Sequence, residues 1–184
     1  APASRRARKR FSFMGTPFLP DVRRREGEQY RESLRARARS LDVDDRVRFL
    51  DGFLSITQIA DLLAATDVFV TPYRGENQIV SGALTFALAA GCAVVSTRYS
   101  YAVDQLSDGA GIVVDGRDPS NFAGAIARLL LDPDALARAR ARSSAVGADM
   151  RWSSIGQRMA ALCDDLLRWG SPLVQPRETA VPPS

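Results

Sequence analysis

The sequence contains no histidine. That absence removes Ser-His and Cys-His nucleophile systems and the common zinc sites together. Lysine is almost missing as well: Lys9 is the only one, and arginine carries nearly all the positive charge. Cysteine is limited to Cys92 and Cys163, which match no metal or redox spacing. Cys92 opens an apolar run and Cys163 falls in an amphipathic helical pattern, so both are expected as buried thiols. No apolar run approaches the ~20 residues of a membrane span. The N-terminus is basic without an apolar stretch of signal-peptide length, so no transmembrane segment and a cytoplasmic location are expected.

What is present fits one domain. The 184 residues are 46% apolar, enough for a core. The net charge of +4 is spread over helical patterns that also carry acids. The one dense basic cluster is Arg5, Arg6, Arg8, Lys9 and Arg10, expected as a solvated leader over residues 1–10. No aromatics interleave with it, which argues against a nucleic-acid partner. Residues 170–184 turn Pro-rich and polar and are expected as a disordered tail. The chain starts at Ala1 rather than Met, which suggests a fragment or a processed product.

Between these ends, short β-branched or aromatic runs alternate with helical patterns, which predicts an α/β domain with a parallel sheet over residues 11–169. Strands are expected at Arg10–Met14, Arg46–Leu50, Asp67–Thr71, Ala93–Thr97 and Gly111–Val114. A charged helix is expected from Val22 to Leu41, with Tyr30, Leu34, Ala38 and Leu41 on one face. Ser55-Ile-Thr-Gln58 reads as a capping box before a helix lined by Ile56, Ile59, Leu62 and Leu63. Asp118-Pro119 starts another helix, with an N-cap and Pro at the first helical position. Pro133 opens one rich in Ala and Arg. The last helix runs from Ser153 or Ser154 to Trp169 with Ile155, Met159, Leu162 and Leu166 on a single face.

The stretch Thr71-Pro-Tyr-Arg-Gly-Glu-Asn-Gln-Ile-Val-Ser-Gly82 leaves an apolar strand and runs into a small-residue helix. Parallel α/β sheets bind ligands at the carboxyl ends of their strands, where this loop lies. A helix start offers free backbone N–H groups and the positive end of a dipole. Ser81 is a good N-cap, and Gly82 lets a ligand approach the backbone. Together they form an anion site suited to a diphosphate. On the residues alone, Ser-Gly capping a tightly packed helix explains the pattern equally well.

Asp67-Val-Phe-Val-Thr-Pro-Tyr73, Gln78-Ile-Val-Ser-Gly82 and Ala87-Leu-Ala-Ala-Gly-Cys-Ala-Val-Val-Ser-Thr97 resemble the donor-site region of family-4 (group 1) glycosyltransferases. The similarity is to a subgroup with a Gln-Ile-x-Ser-Gly loop and extends over roughly residues 11 to 168. It implies a Rossmann-like parallel sheet with flanking helices, the C-terminal, nucleotide-sugar-binding half of a GT-B enzyme. The family's first strand-helix unit, bearing an Arg and a Lys for the phosphates, would precede residue 11, as would an N-terminal acceptor-binding domain. The resemblance also implies retaining transfer from a nucleotide-sugar co-substrate to an unknown acceptor, without another cofactor.

Its donor contacts map onto Gly15, Thr16, Phe53, Gln78, Ile79, Val80, Ser81 and Gly82. Arg98 either adds a phosphate contact or is simply an exposed arginine. Phe53 either stacks on the base or is a core residue. The family's Glu-x7-Glu pair falls on Gln78 and Phe86, so neither a sugar-binding carboxylate nor a ribose-binding one is present. No catalytic residue is singled out. Asp42-Val-Asp44 and Asp132-Pro-Asp134 read as surface turns and caps, and no metal is expected. The isolated chain is expected to bind donor weakly and turn over little or nothing. A competing class is a non-catalytic α/β module. A receiver-like domain needs a lysine on a late strand, which Lys9 cannot supply; a degenerate transferase used for interaction remains open.

Overall fold

A computed structural model describes residues 11–14, 29–50, 54–73, 75–116 and 118–169. The expected leader and tail lie outside them, as do the Gly15–Thr16 turn and Phe53. The chain divides into two compact units, Ala1–Ser55 and Ile56–Ser184.

In the first unit, β1 (Phe11–Met14) pairs in parallel with β2 (Val47–Leu50), Phe11 opposite Val47. Helix α1 spans Gln29–Ser40, and the expected start at Val22 lies outside the described residues. Of its expected face only Ala38 is buried, while Tyr30 and Leu41 are exposed. Its arginines are used locally: Arg39 donates to Glu32 at 2.9 Å, and the guanidinium carbons of Arg31 and Arg35 lie 5.6 and 5.3 Å from the ring centre of Phe49.

The second unit is built on a three-stranded parallel sheet, β3 (Val68–Thr71), β4 (Ala93–Thr97) and β5 (Gly111–Val114), in that order. The described strands thus form a pair and a triple. Every residue of the central β4 is buried, as a strand covered on both faces requires. Helices α2 (Ile56–Ala64), α3 (Gly82–Ala89), α4 (Ser100–Leu106), α5 (Pro119–Leu131), α6 (Pro133–Asp149) and α7 (Trp152–Arg168) follow. One core gathers Leu63, Leu84, Leu88, Val94, Tyr99 and Leu106. The other gathers Val95, Ala125 and Leu129.

Local rules set the helix ends. Gly91 (φ +71°) follows α3 and donates to Leu88 O, while Cys92 N–H reaches back to Ala87 O. This is the Schellman arrangement, which needs the left-handed residue that glycine supplies. Asp118 and Asp132 accept from Ser120 N–H and Ala135 N–H, so the second Asp-x-Asp is a helix cap, as its sequence suggested. Helix α6 lies so close to α3 that a Cβ on Gly147 would sit 2.5 Å from Leu88 O.

Cys163 departs from its expected burial, and two helix faces are more open than their apolar patterns. Ile56 is exposed, because α2 presents only Leu63 fully to the core, with Ile59 and Leu62 half-buried. Cys163 is exposed, unlike Cys92, because α7 buries no residue. For the same reason Met159, Leu162 and Leu166 form an exposed apolar face.

Candidate functional site

The carboxyl ends of β3 and β4 meet in a polar ladder. Both strands are apolar until their last residues, where Thr71, Ser96 and Thr97 replace the run. Thr71 Oγ1 donates to Ser96 Oγ at 2.7 Å. Ser96 Oγ donates to Thr97 O at 2.9 Å, and Thr97 Oγ1 to Tyr73 O at 2.7 Å. All three side chains are buried, so their hydrogen bonds fix where the β3–α3 loop leaves the sheet.

The rest of that loop is tied to α4. Ser100 N–H donates to Glu76 O at 3.2 Å and Tyr101 N–H to Gln78 O at 3.3 Å. The first amides of α4 are therefore consumed by the loop. Gln78 folds its amide back onto Val80 O at 3.0 Å. The Tyr73 ring meets Tyr99 edge-on, with centroids 5.2 Å apart. Tyr99 is fully buried, and its hydroxyl has no hydrogen-bond partner among the described residues.

The start of α3 is different. Ser81 Oγ accepts from Leu84 N–H at 3.2 Å, and Ser81 O accepts from Thr85 N–H and Thr85 Oγ1. Thr85 Oγ1 also pairs with Tyr101 OH at 2.8 Å. The N–H groups of Gly82 and Ala83 donate to nothing among the described residues. A Cβ on Gly82 would meet nothing within 4 Å. Two exposed residues at the positive end of a helix thus carry N–H groups without a partner among the described residues.

Around them Ile79, Val80 and Phe86 are exposed, and Gln78 is half-buried. Arg98, directly after β4, is exposed. The structure therefore brings Gln78, Ile79, Val80, Ser81 and Gly82 into one loop-to-helix junction. Gly15, Thr16 and Phe53 lie outside the described residues. The threonine and serine ladder was not singled out from the sequence. Its signal was available: hydroxyl residues that end otherwise apolar strands.

A family description reading "Glycosyl transferases group 1" matches residues 5–132.

The chain belongs to the group 1 glycosyltransferases.

Among curated relatives of this glycosyltransferase chain is the GDP-mannose-dependent alpha-(1-6)-phosphatidylinositol monomannoside mannosyltransferase of Mycobacterium tuberculosis. It is 34% identical over 158 residues, covering 77% of this chain and 41% of the relative. The chain thus spans about two fifths of that protein's length. Anabaena HepE, solved with UDP, aligns with a TM-score of 0.62 at 22% identity over 76% of this chain and 38% of its own. The C-terminal domain of a group 1 glycosyl transferase (LpcC) from Francisella tularensis aligns with a TM-score of 0.58 at 16% identity, over 70% and 63% of the two chains. The fold is that of the C-terminal half of a GT-B enzyme.

Proposed function

We propose that the β3–α3 junction binds the diphosphate of a nucleotide-sugar donor, and that the chain is the donor half of an enzyme transferring that sugar with retention of configuration. The carrying observation is that the amides of Gly82 and Ala83, at an exposed helix start, have no partner among the described residues. Backbone donors and a helix dipole held in place before the reaction stabilise the charge of a leaving diphosphate without reorganisation. Gln78 supplies an amide to sugar hydroxyls, and Arg98 adds a cation beside the phosphates. The acceptor is held by a further domain, and the transfer needs no metal or other cofactor. We place the protein in the cytoplasm. Among the described residues no helix is long and apolar enough to cross a membrane.

Calorimetry with a panel that includes GDP-mannose and UDP-glucose tests this reading. Heat of binding for at least one donor, abolished by Gly82→Asp, is expected. Binding that survives Gly82→Asp unchanged would remove the helix start from the account. The isolated 184-residue chain is expected to bind weakly and turn over little, and efficient transfer by it would contradict that part.

A second reading, a non-catalytic module descended from a transferase, is favoured by Phe86. Its ring is 46% exposed one turn along α3 from Gly82 and offers no polar atom. No donor binding at all, with the fold intact, would support this reading.

A further inference from the structure

Tyr101 grips the β3–α3 junction twice. Its backbone N–H donates to Gln78 O at 3.3 Å, and its hydroxyl lies 2.8 Å from Thr85 Oγ1. Thr85 Oγ1 donates in turn to Ser81 O at 3.0 Å, where Thr85 N–H also donates at 3.0 Å. A threonine hydroxyl has one hydrogen to give and lone pairs to accept with. With that hydrogen spent on Ser81 O, the one shared by the two hydroxyls comes from Tyr101. The result is a directed chain, from Tyr101 through Thr85 to Ser81 O. It starts on α4 and ends at the first turn of α3.

A threonine bonded to the carbonyl four residues back is common in helices. Two features here go beyond that habit. The chain begins on another element, so forming α3 does not require it. Its last acceptor is the carbonyl of the peptide unit whose N–H belongs to Gly82. A carbonyl that accepts hydrogen bonds draws electron density from its own amide nitrogen and makes that N–H a stronger donor. Successive bonds reinforce one another where water is excluded. Ser81 is buried, and Thr85 and Tyr101 are half-buried. We propose that Tyr101 and Thr85 are positioning residues of the donor site, orienting the Ser81–Gly82 peptide and strengthening its N–H toward the diphosphate. This rests on the reading that the amides of Gly82 and Ala83 hold that group. Both side chains act through the peptide and not by touching the donor.

Backbone NMR spectra of the full chain, with and without GDP or UDP, test this in Tyr101→Phe, Thr85→Val and Thr85→Ser. Tyr101→Phe keeps the ring and removes only the hydroxyl. In the ligand-free chain it should move the Ser81 carbonyl carbon and the Gly82 nitrogen upfield, and the Ala83 nitrogen less. Tyr101→Phe and Thr85→Val should each weaken nucleotide binding about two- to fivefold. The double variant should bind no more weakly than Thr85→Val, because Tyr101 acts through Thr85. Thr85→Ser keeps the hydroxyl and should restore the parent's affinity. A Gly82 nitrogen that does not move in ligand-free Tyr101→Phe overturns the proposal whatever the chain binds. Equal affinities of the parent and Tyr101→Phe overturn the positioning role and leave the donor site standing. A parent chain whose Gly82 and Ala83 amides respond to neither nucleotide overturns the donor-site reading, and this role with it.

Discussion

Thr97 at the end of β4 donates its hydroxyl hydrogen to the carbonyl of Tyr73 at 2.7 Å, across the gap between two strand ends. That bond connects the buried sheet to the loop that presents Gly82. Thr97→Val keeps the shape but leaves the Tyr73 carbonyl without this donor, a loss of about 1–3 kcal/mol. Urea unfolding should show the destabilisation, and donor affinity should fall with it as the loop loosens.

Gly147 and Gly124 both lie inside helices but in opposite surroundings. A Cβ on Gly147 would sit 2.5 Å from Leu88 O and 2.6 Å from Ala89 Cα, so Gly147→Ala forces α6 away from α3. A cost of about 1–3 kcal/mol is expected. Gly124, in α5, has nothing within 4 Å of its would-be Cβ, and Gly124→Ala should stabilise by up to about 1 kcal/mol. Thermal denaturation of the two variants should therefore move in opposite directions.

Cys92 and Cys163 differ in reactivity. Burial pushes the Cys92 thiol up from its ordinary value, against a smaller lowering by Arg140, and its Sγ–H donates to Leu63 O at 3.3 Å. Cys163 is exposed. A thiol reagent at neutral pH should label one site quickly and the second only under denaturant. Peptide mapping that found Cys92 modified first would contradict the packing.

Asp118 links stability to pH. Its side-chain and backbone hydrogen bonds from Ser120 hold its carboxyl below the usual aspartate range. A depressed folded-state value means the contribution is present above the unfolded-state value and lost as pH falls through the folded one. The parent chain should therefore lose stability relative to Asp118→Asn as the pH drops below the usual aspartate range. The same comparison at pH 7 should be flat.

Much of this was legible in residue order. Strands β4 and β5 have the bounds expected from the sequence, Ala93–Thr97 and Gly111–Val114, and Ser81, Asp118 and Pro119 mark helix starts by chemistry that acts locally. Burial was less legible. The face of α7 has the same periodicity whether it is covered or bare, so its exposure was not legible and Cys163 beside it read as buried. The small residues of α3 signalled close packing, but the partner that requires it, Gly147 of α6, lies about sixty residues on. Hydrogen bonds such as Thr97 to Tyr73 join residues adjacent only through the sheet, and no spacing rule finds them.

The central claim is that the amides of Gly82 and Ala83 at the start of α3 hold the donor's diphosphate. It is tested most directly by amide chemical shifts during titration with GDP and UDP. The account predicts that the N–H signals of Gly82 and Ala83 shift furthest and saturate together. Saturable binding that leaves those two amides unmoved, while signals elsewhere shift, would contradict it.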